Sequence, residues 1–345
     1  MILVGVMAAA IWGLGMLTGA PTRARWTMLA VLLGAVMLEQ VLLPAGHPLR
    51  EATGHDVRFW LLLVGFAAVV WAYRAGLGTL RNRARVPDAV PEQGGFSEPE
   101  LERYARHIML REVGGPGQAR LKGARVLVVG AGGLGSPALL YLAGAGVGTI
   151  GVIDDDTVDA SNLQRQVIHG EDRLGLPKVQ SAVQALAALN RHVTLRPYNR
   201  RLTDEIAADL IDDYDLVLDG SDNFATRYLL NAACAKAGKP LVAAAITQWE
   251  GQISVYDPAH GTPCYQCVFP EAPAAGLVPT CAEAGVIGPL PGVLGAMMAL
   301  EAIKVITGAG ETLAGRLLIY DALDADTRVM RLKRRPDCPI CGAAA

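Results

Sequence analysis

The chain has 345 residues, enough for two or three structural units, and 52% of them are hydrophobic, which is high for a soluble enzyme. Charge divides by region: residues 1–85 carry eight arginines against three acids, while the remainder is net negative by seven. That acidic body excludes an extended nucleic-acid surface, which needs a basic stripe.

Three apolar runs come first. Residues 1–20 hold no charged side chain, a second run covers Trp26 to Leu43 interrupted only by Glu39 and Gln40, and a third covers Phe59 to Tyr73 between Arg58 and Arg74. A helix of about 20 apolar residues spans a bilayer, and about 15 suffice where flanking arginines reach outward. Trp60, Trp71 and Tyr73 lie near the ends of the third run, where amphipathic rings favour the interface. A cleaved signal peptide would need a basic stretch before its apolar core, and none precedes Gly19. Residues 1–80 are therefore expected to form a membrane segment of two to three transmembrane helices.

The arginines set its orientation. Arg23, Arg25, Arg74, Arg81, Arg83 and Arg85 outnumber Arg50 and Arg58 of the intervening loop. The positive-inside rule then places the acidic body in the cytoplasm, on an inner (cytoplasmic) membrane. A cytoplasmic protein started later, from a non-AUG codon, is the alternative.

Residues 81–96 read as a linker, with two prolines and a closing Gly-Gly. Ser97 with Glu100 opens a helix as a capping box. Arg125 to Gly130 is a β-branched run suited to a strand buried on both faces. It leads through Gly-Ala-Gly-Gly-Leu-Gly into a helix ending near Ala145, then a strand from Thr149 to Ile153. The alternation continues with helices at 178–189, 203–211 and 225–237 and strands at 194–198, 216–218 and 241–245. After Trp249 the pattern changes to hairpin-like strands, 251–256, 316–320 and 328–332, around an apolar helix from Pro291 to Ile306. The expected fold is α/β: a doubly wound, Rossmann-like, mostly parallel sheet with a mixed or antiparallel C-terminal half, preceded by transmembrane helices. Residues 97–342 are expected to form one catalytic domain.

Gly130, Gly132 and Gly135 fit the G-x-G-x-x-G template, and Asp154 ends the next strand. Such a loop brings backbone amides to a phosphate, and the acid holds a ribose hydroxyl. Alone it specifies only a nucleotide, with NAD, FAD and ATP all open. Further along come Ser161-Asn-Leu-Gln-Arg165-Gln, Gly175-Leu-Pro-Lys178 and Asp219-Gly-Ser-Asp222-Asn223, with Arg103-Tyr-Ala-Arg106 upstream. This set resembles the MoeB/ThiF/HesA family of adenylyltransferases, bacterial relatives of ubiquitin-activating enzymes, and most of all its molybdopterin-synthase branch. The resemblance covers about 245 residues, from Ser97 to Gly342.

The resemblance implies ATP-dependent adenylylation of the C-terminal glycine of a ubiquitin-like sulfur-carrier protein, MoaD-like or, alternatively, ThiS-like. It implies a nucleotide site from Gly130, Gly132, Gly133 and Gly135, with Asp154 on the ribose. Ser161, Asn162, Leu163, Gln164 and Arg165 would serve the phosphates, Lys178 the α/β region, and Asp222, beside Asn223, Mg²⁺. It implies that Arg106 reaches the site of the second protomer in a homodimer, and that Cys281 matches a cysteine able to join the carrier. Attack on an α-phosphate spreads negative charge over several oxygens, so cations and a metal are what this chemistry needs. An NAD-dependent oxidoreductase would use the same glycine loop but leaves the remaining motifs unexplained.

Cys264-Tyr-Gln-Cys267 and Cys338-Pro-Ile-Cys341 form two C-x-x-C knuckles separated by 70 residues. Four thiolates in two pairs suit a closed, structural Zn²⁺ site. The sequence continues only to Gly342-Ala-Ala-Ala, so a separate sulfur donor is expected.

Overall fold

The computed structural model describes residues 2–18, 22–44, 46–54, 95–273 and 285–342, with scattered residues between 58 and 73. Chain contacts divide the protein into two units, Met1–Gly95 and Phe96–Ala345.

The N-terminal unit contains α1 (Ile2–Leu17), α2 (Thr22–Leu42) and α3 (Pro48–Thr53). Within α2, Ala24–Leu42 has a mean hydropathy of 1.4. Leu14, Leu17, Trp26, Val31, Leu38 and Val41 stay exposed, and the buried cluster is small: Val4, Val36 and Trp60. The polar pair that interrupts the second apolar run is not free. Gln40 Nε2 donates to Thr53 Oγ1 at 2.9 Å and to Gly54 O at 2.8 Å, while Glu39 Oε1 accepts from Thr53 Oγ1 at 3.2 Å. α3 and the residue after it thus supply partners for Gln40 Nε2 and Glu39 Oε1. The third apolar run and the linker lie mostly outside the described residues.

The second unit carries one eight-stranded sheet. In chain order its elements are α4 (Glu98–Ile108), α5 (Gly114–Gly123), β1 (Arg125–Val129), α6 (Gly135–Ala145), β2 (Thr149–Ile153), α7 (Lys178–Leu189) and β3 (Thr194–Tyr198). There follow α8 (Asp204–Asp212), β4 (Leu216–Asp219), α9 (Phe224–Ala237), β5 (Leu241–Thr247), β6 (Glu250–Tyr256), α10 (Tyr265–Val268), α11 (Pro289–Thr307), β7 (Arg316–Asp321) and β8 (Asp326–Arg331). The strand order is β3-β2-β1-β4-β5-β6-β7-β8. The first five are parallel and the last four pair antiparallel, β5 belonging to both sets.

β1 shows why the parallel half forms. Val126, Leu127, Val128 and Val129 are all buried, because successive side chains enter opposite layers. Val126 and Val128 join a core with α6, α7 and α11, whereas Leu127 and Val129 join α8 and α9 on the other face. α11 matches α2 in apolar character, with a mean hydropathy of 1.5, yet it is half buried in this core. Hydropathy alone therefore does not separate a membrane span from a core helix.

Glu100 fastens α4 as expected. Its carboxylate accepts from Ser97 N at 2.9 Å and pairs with Lys122 Nζ at 2.9 Å. The chain order reverses across β1, which lies between β2 and β4, and an open α/β sheet binds ligands at such a switch point.

Candidate active site

The ends of β1 and β4 meet at two glycines. Gly130 has φ +92°, and a Cβ there would stand 2.9 Å from Gly220 O. A Cβ on Gly135 would collide with Gly130 O, whereas one on Gly132 would meet nothing nearer than Gln166 Nε2 at 3.6 Å. The first and last glycines are thus needed for the turn and the helix–strand packing. The middle one leaves open space facing a cleft of about 770 Å³.

That cleft gathers Gly130, Gly132, Gly133, Asp154, Arg165, Lys178, Asp222 and Asn223. Asp154 is held by two amides, Ala131 N at 2.7 Å and Asp156 N at 2.8 Å. Burial nevertheless pushes its carboxyl above the ordinary range. Lys178, at the start of α7, is 4% exposed, and its Nζ pairs with Asp156 Oδ2 at 2.7 Å. Asp222 sits exposed just past β4, and among the described residues no side chain pairs with it. Its turn is built by Asp219, which is 1% exposed and accepts from Ser221 N at 2.9 Å and Ser221 Oγ at 2.6 Å. Arg227 Nη2 braces the same turn by donating to Ser221 O at 2.9 Å.

The other expected residues divide into three groups. Ser161, Asn162, Leu163 and Gln164 do not line the cleft. They form a short turn capped by Asp159, and Asn162 Oδ1 accepts from Arg165 Nη2 at 2.7 Å, aiming that guanidinium. Asn223 lines the cleft and also caps α9, accepting from Thr226 N at 2.9 Å. Arg106 is exposed on α4 and does not line the cleft, and Cys281 lies outside the described residues. Asp155, Asp156, Gln166, Arg200, Arg201, Arg227, Tyr265 and Phe269 also line the cleft, though sequence motifs gave them no role.

The four cysteines converge elsewhere. Their sulfurs all lie within 4.8 Å of one another, with Cys264–Cys267 at 3.9 Å, Cys264–Cys338 at 3.6 Å and Cys267–Cys341 at 3.4 Å. A disulfide would hold sulfurs about 2 Å apart, while a tetrahedron of Zn–S bonds of about 2.3 Å sets them about 3.8 Å apart. The observed edges fit a metal. Cys267 Sγ also accepts from Arg335 N at 3.4 Å, and Tyr265 N donates to Asn231 Oδ1 at 2.8 Å, fixing α10 between the cysteines and the cleft.

The ThiF family profile matches residues 104–340. The chain belongs to the ThiF family. Among its relatives, the sulfur carrier protein adenylyltransferase of Thermus thermophilus is 52% identical over 251 residues, 72% of this chain and 93% of that protein. The adenylyltransferase and sulfurtransferase MOCS3 of Bos taurus is 51% identical over 271 residues, and the match covers 78% of this chain but 59% of that longer protein. A crystal structure of Escherichia coli MccB with MccA-N7isoASN superposes with a TM-score of 0.62 at 25% identity, covering 70% of this chain and 74% of that one. Its α/β fold agrees with the sheet seen here. ThiF membership accounts for the motifs beyond the glycine loop and leaves the oxidoreductase alternative without support.

Proposed function

We propose that this protein transfers AMP from ATP to the C-terminal glycine of a ubiquitin-like sulfur-carrier protein, releasing pyrophosphate. The observation that carries this reading is the convergence of the glycine loop, Asp154, Arg165, Lys178 and Asp222 in one cleft of a ThiF-family chain. The names of its relatives supply the carrier. A MoaD-like carrier of molybdenum cofactor biosynthesis is the first choice, because the resemblance is to that branch, and a ThiS-like carrier of thiamine biosynthesis is the alternative.

A carrier carboxylate oxygen attacks the α-phosphorus, the bond to the β-phosphate oxygen breaks, and pyrophosphate leaves. The chain's part is to place and neutralise charge. Amides of the loop around Gly132 and Gly133 face the phosphates, and Asp154 takes the ribose hydroxyls. Arg165 and Lys178 attract the phosphate oxygens, the latter exchanging its pair with Asp156. Asp222, exposed and with no side-chain partner among the described residues, would hold the Mg²⁺ that accompanies ATP.

Three further assignments belong to this proposal. Arg106 acts across a homodimer, a reading supported by its exposure and by Tyr141, Val293 and Leu300, which stay exposed on the packed pair α6 and α11. Cys281, loaded as a persulfide by a separate sulfane-sulfur donor, attacks the carrier acyl-adenylate with its outer sulfur, and AMP leaves to give an acyl disulfide. A reductant-sensitive carrier adduct in intact mass spectrometry, lost in Cys281→Ser, is the expected result. The N-terminal unit anchors the enzyme in the cytoplasmic membrane with its catalytic body in the cytoplasm. Supporting this are the length of α2, its exposed apolar side chains, and the Trp12–Trp26 edge contact, over which Arg25 sits 5.8 Å from the Trp12 ring.

ATP–pyrophosphate exchange with each candidate carrier added in turn tests the function. Exchange is expected with one carrier and absent without any. Exchange with none of them would contradict it.

A further inference from the structure

His169 is a buried side chain that no motif marks, and it touches the glycine loop from below. It is 8% exposed. Its Nε2 lies 2.9 Å from Ala131 O and its Nδ1 lies 2.8 Å from Ser181 Oγ. A carbonyl oxygen only accepts, so Nε2 carries the proton, and in the neutral ring Nδ1 then accepts from the Ser181 hydroxyl. Burial, reinforced by Lys178 and Arg173 and opposed by the Ala131 contact, lowers the imidazole pKa, which keeps the ring neutral near pH 7. Arg173 Nη1 steadies the same region by donating to Ser181 O at 2.9 Å.

The consequence lies in the peptide plane. Ala131 N–H is held by Asp154 Oδ2 at 2.7 Å, and Ala131 C=O is held by His169, with Ser136 Oγ a longer donor at 3.4 Å. In a trans peptide the carbonyl and the following N–H point in opposite directions. Holding Ala131 C=O down therefore turns the Gly132 N–H toward the cleft, where Gly132 leaves open space. Ser181 lies on α7, whose first residue is Lys178, so one hydrogen-bonded chain links the loop amide to the helix that carries the phosphate-facing lysine.

We propose that His169 is a positioning residue for nucleotide binding: its Nε2–H fixes the Ala131–Gly132 peptide so that the loop presents its amide to a phosphate. The adenylyltransferase reading enters only through the identity of the nucleotide, ATP.

Calorimetric binding of ATP to the full-length protein without carrier, followed by exchange kinetics with it, tests the proposal. His169→Ala is expected to weaken ATP binding and raise the ATP KM by about tenfold, the scale of one buried hydrogen bond. Its kcat at saturating ATP should stay within about threefold. His169→Gln restores a donor at the Nε2 position and should bind ATP within about threefold of the wild type. Unchanged ATP affinity in His169→Ala, or equal weakness in both variants, would overturn the positioning role while leaving the enzymatic reading intact. A wild-type protein that binds no ATP would overturn both. Should His169→Ala not fold, ¹⁵N NMR of the wild-type imidazole decides: an Nε2–H tautomer is expected, and an Nδ1–H tautomer contradicts the proposal. In Ser181→Ala the Nε2–H tautomer should persist, because Ala131 O can still only accept; a switch to Nδ1–H there would contradict the proposal.

Discussion

The two halves of the sheet use the same strands-and-helices material for opposite ends. In the parallel half, β1, β2 and β4 end at a cleft where Asp222, Arg165 and the glycine loop face solvent, held but not consumed by their neighbours. Beside the antiparallel half, Cys264, Cys267, Cys338 and Cys341 are all buried and face one another. The difference separates a place kept open for substrates from a place closed on itself. Substitutions in the first should change chemistry, and substitutions in the second should change stability.

The largest effect expected is at the cysteines. If the four cysteines hold zinc, chelating it or making Cys341→Ser should unfold the region around β7, β8 and α10, because metal-binding free energy in such sites is folding free energy. Hydrogen exchange would show early loss of protection in those elements. Since α10 carries Tyr265, a cleft residue, ATP affinity should fall modestly, and an untouched affinity would sharpen the separation further. Next come Asp222→Ala and Arg165→Ala, each expected to lower carrier-dependent exchange about a thousandfold, the scale of losing a group that stabilises developing charge. Their melting temperatures should move by only about 2 °C. Near-wild-type exchange in either would break the assignment of the cleft. Gly135→Ala is smaller and belongs to both classes: its methyl meets Gly130 O, so it should cost about 3 kcal/mol in denaturant unfolding and weaken ATP binding as well.

The smallest effect is at Glu100. Burial raises its pKa, but hydrogen bonds from Ser97 N, Lys122 and Ser97 Oγ outweigh it, and the net shift is downward. A depressed carboxyl stabilises the fold above its unfolded pKa, and that stability disappears as pH falls through the folded value. Glu100→Gln should therefore cost about 1 kcal/mol at pH 7 and converge with the wild type in acid. A gap that stays constant with pH would mean that the ion pair with Lys122 is not its source.

Much of this was legible before the structure. The apolar run of β1, the turn after it and the short strands through β5 follow from period and punctuation, and their bounds shift by only a few residues. α5 was not legible. Its Gly114-Gly-Pro-Gly opening reads as a break, yet Pro116 falls in the first turn, where a missing N–H costs little. Gln118 then ties the helix to Ala145 O at 2.8 Å, a contact that no local pattern announces. In the site, the motifs supplied the glycine loop, Asp154, Arg165, Lys178, Asp222 and Asn223, while other lining residues such as Arg200, Arg201 and Phe269, and the supporting roles, were not legible. Asp219, Arg227 and His169 act through a turn or a peptide brought near by the fold, and each carries chemistry common in any sequence. Asn162 shows the same limit, since its side chain meets Arg165 and not the cleft.

The central claim is transfer of AMP to a carrier's terminal carboxylate. Its most direct measurement is intact mass spectrometry of the carrier after brief incubation with the enzyme, ATP and Mg²⁺, with pyrophosphate removed as it forms. The account predicts a carrier heavier by one adenylyl group, lost when the terminal glycine is deleted or when Asp222→Ala replaces the wild-type enzyme. A carrier left unmodified, or modified without need of that glycine, would contradict it.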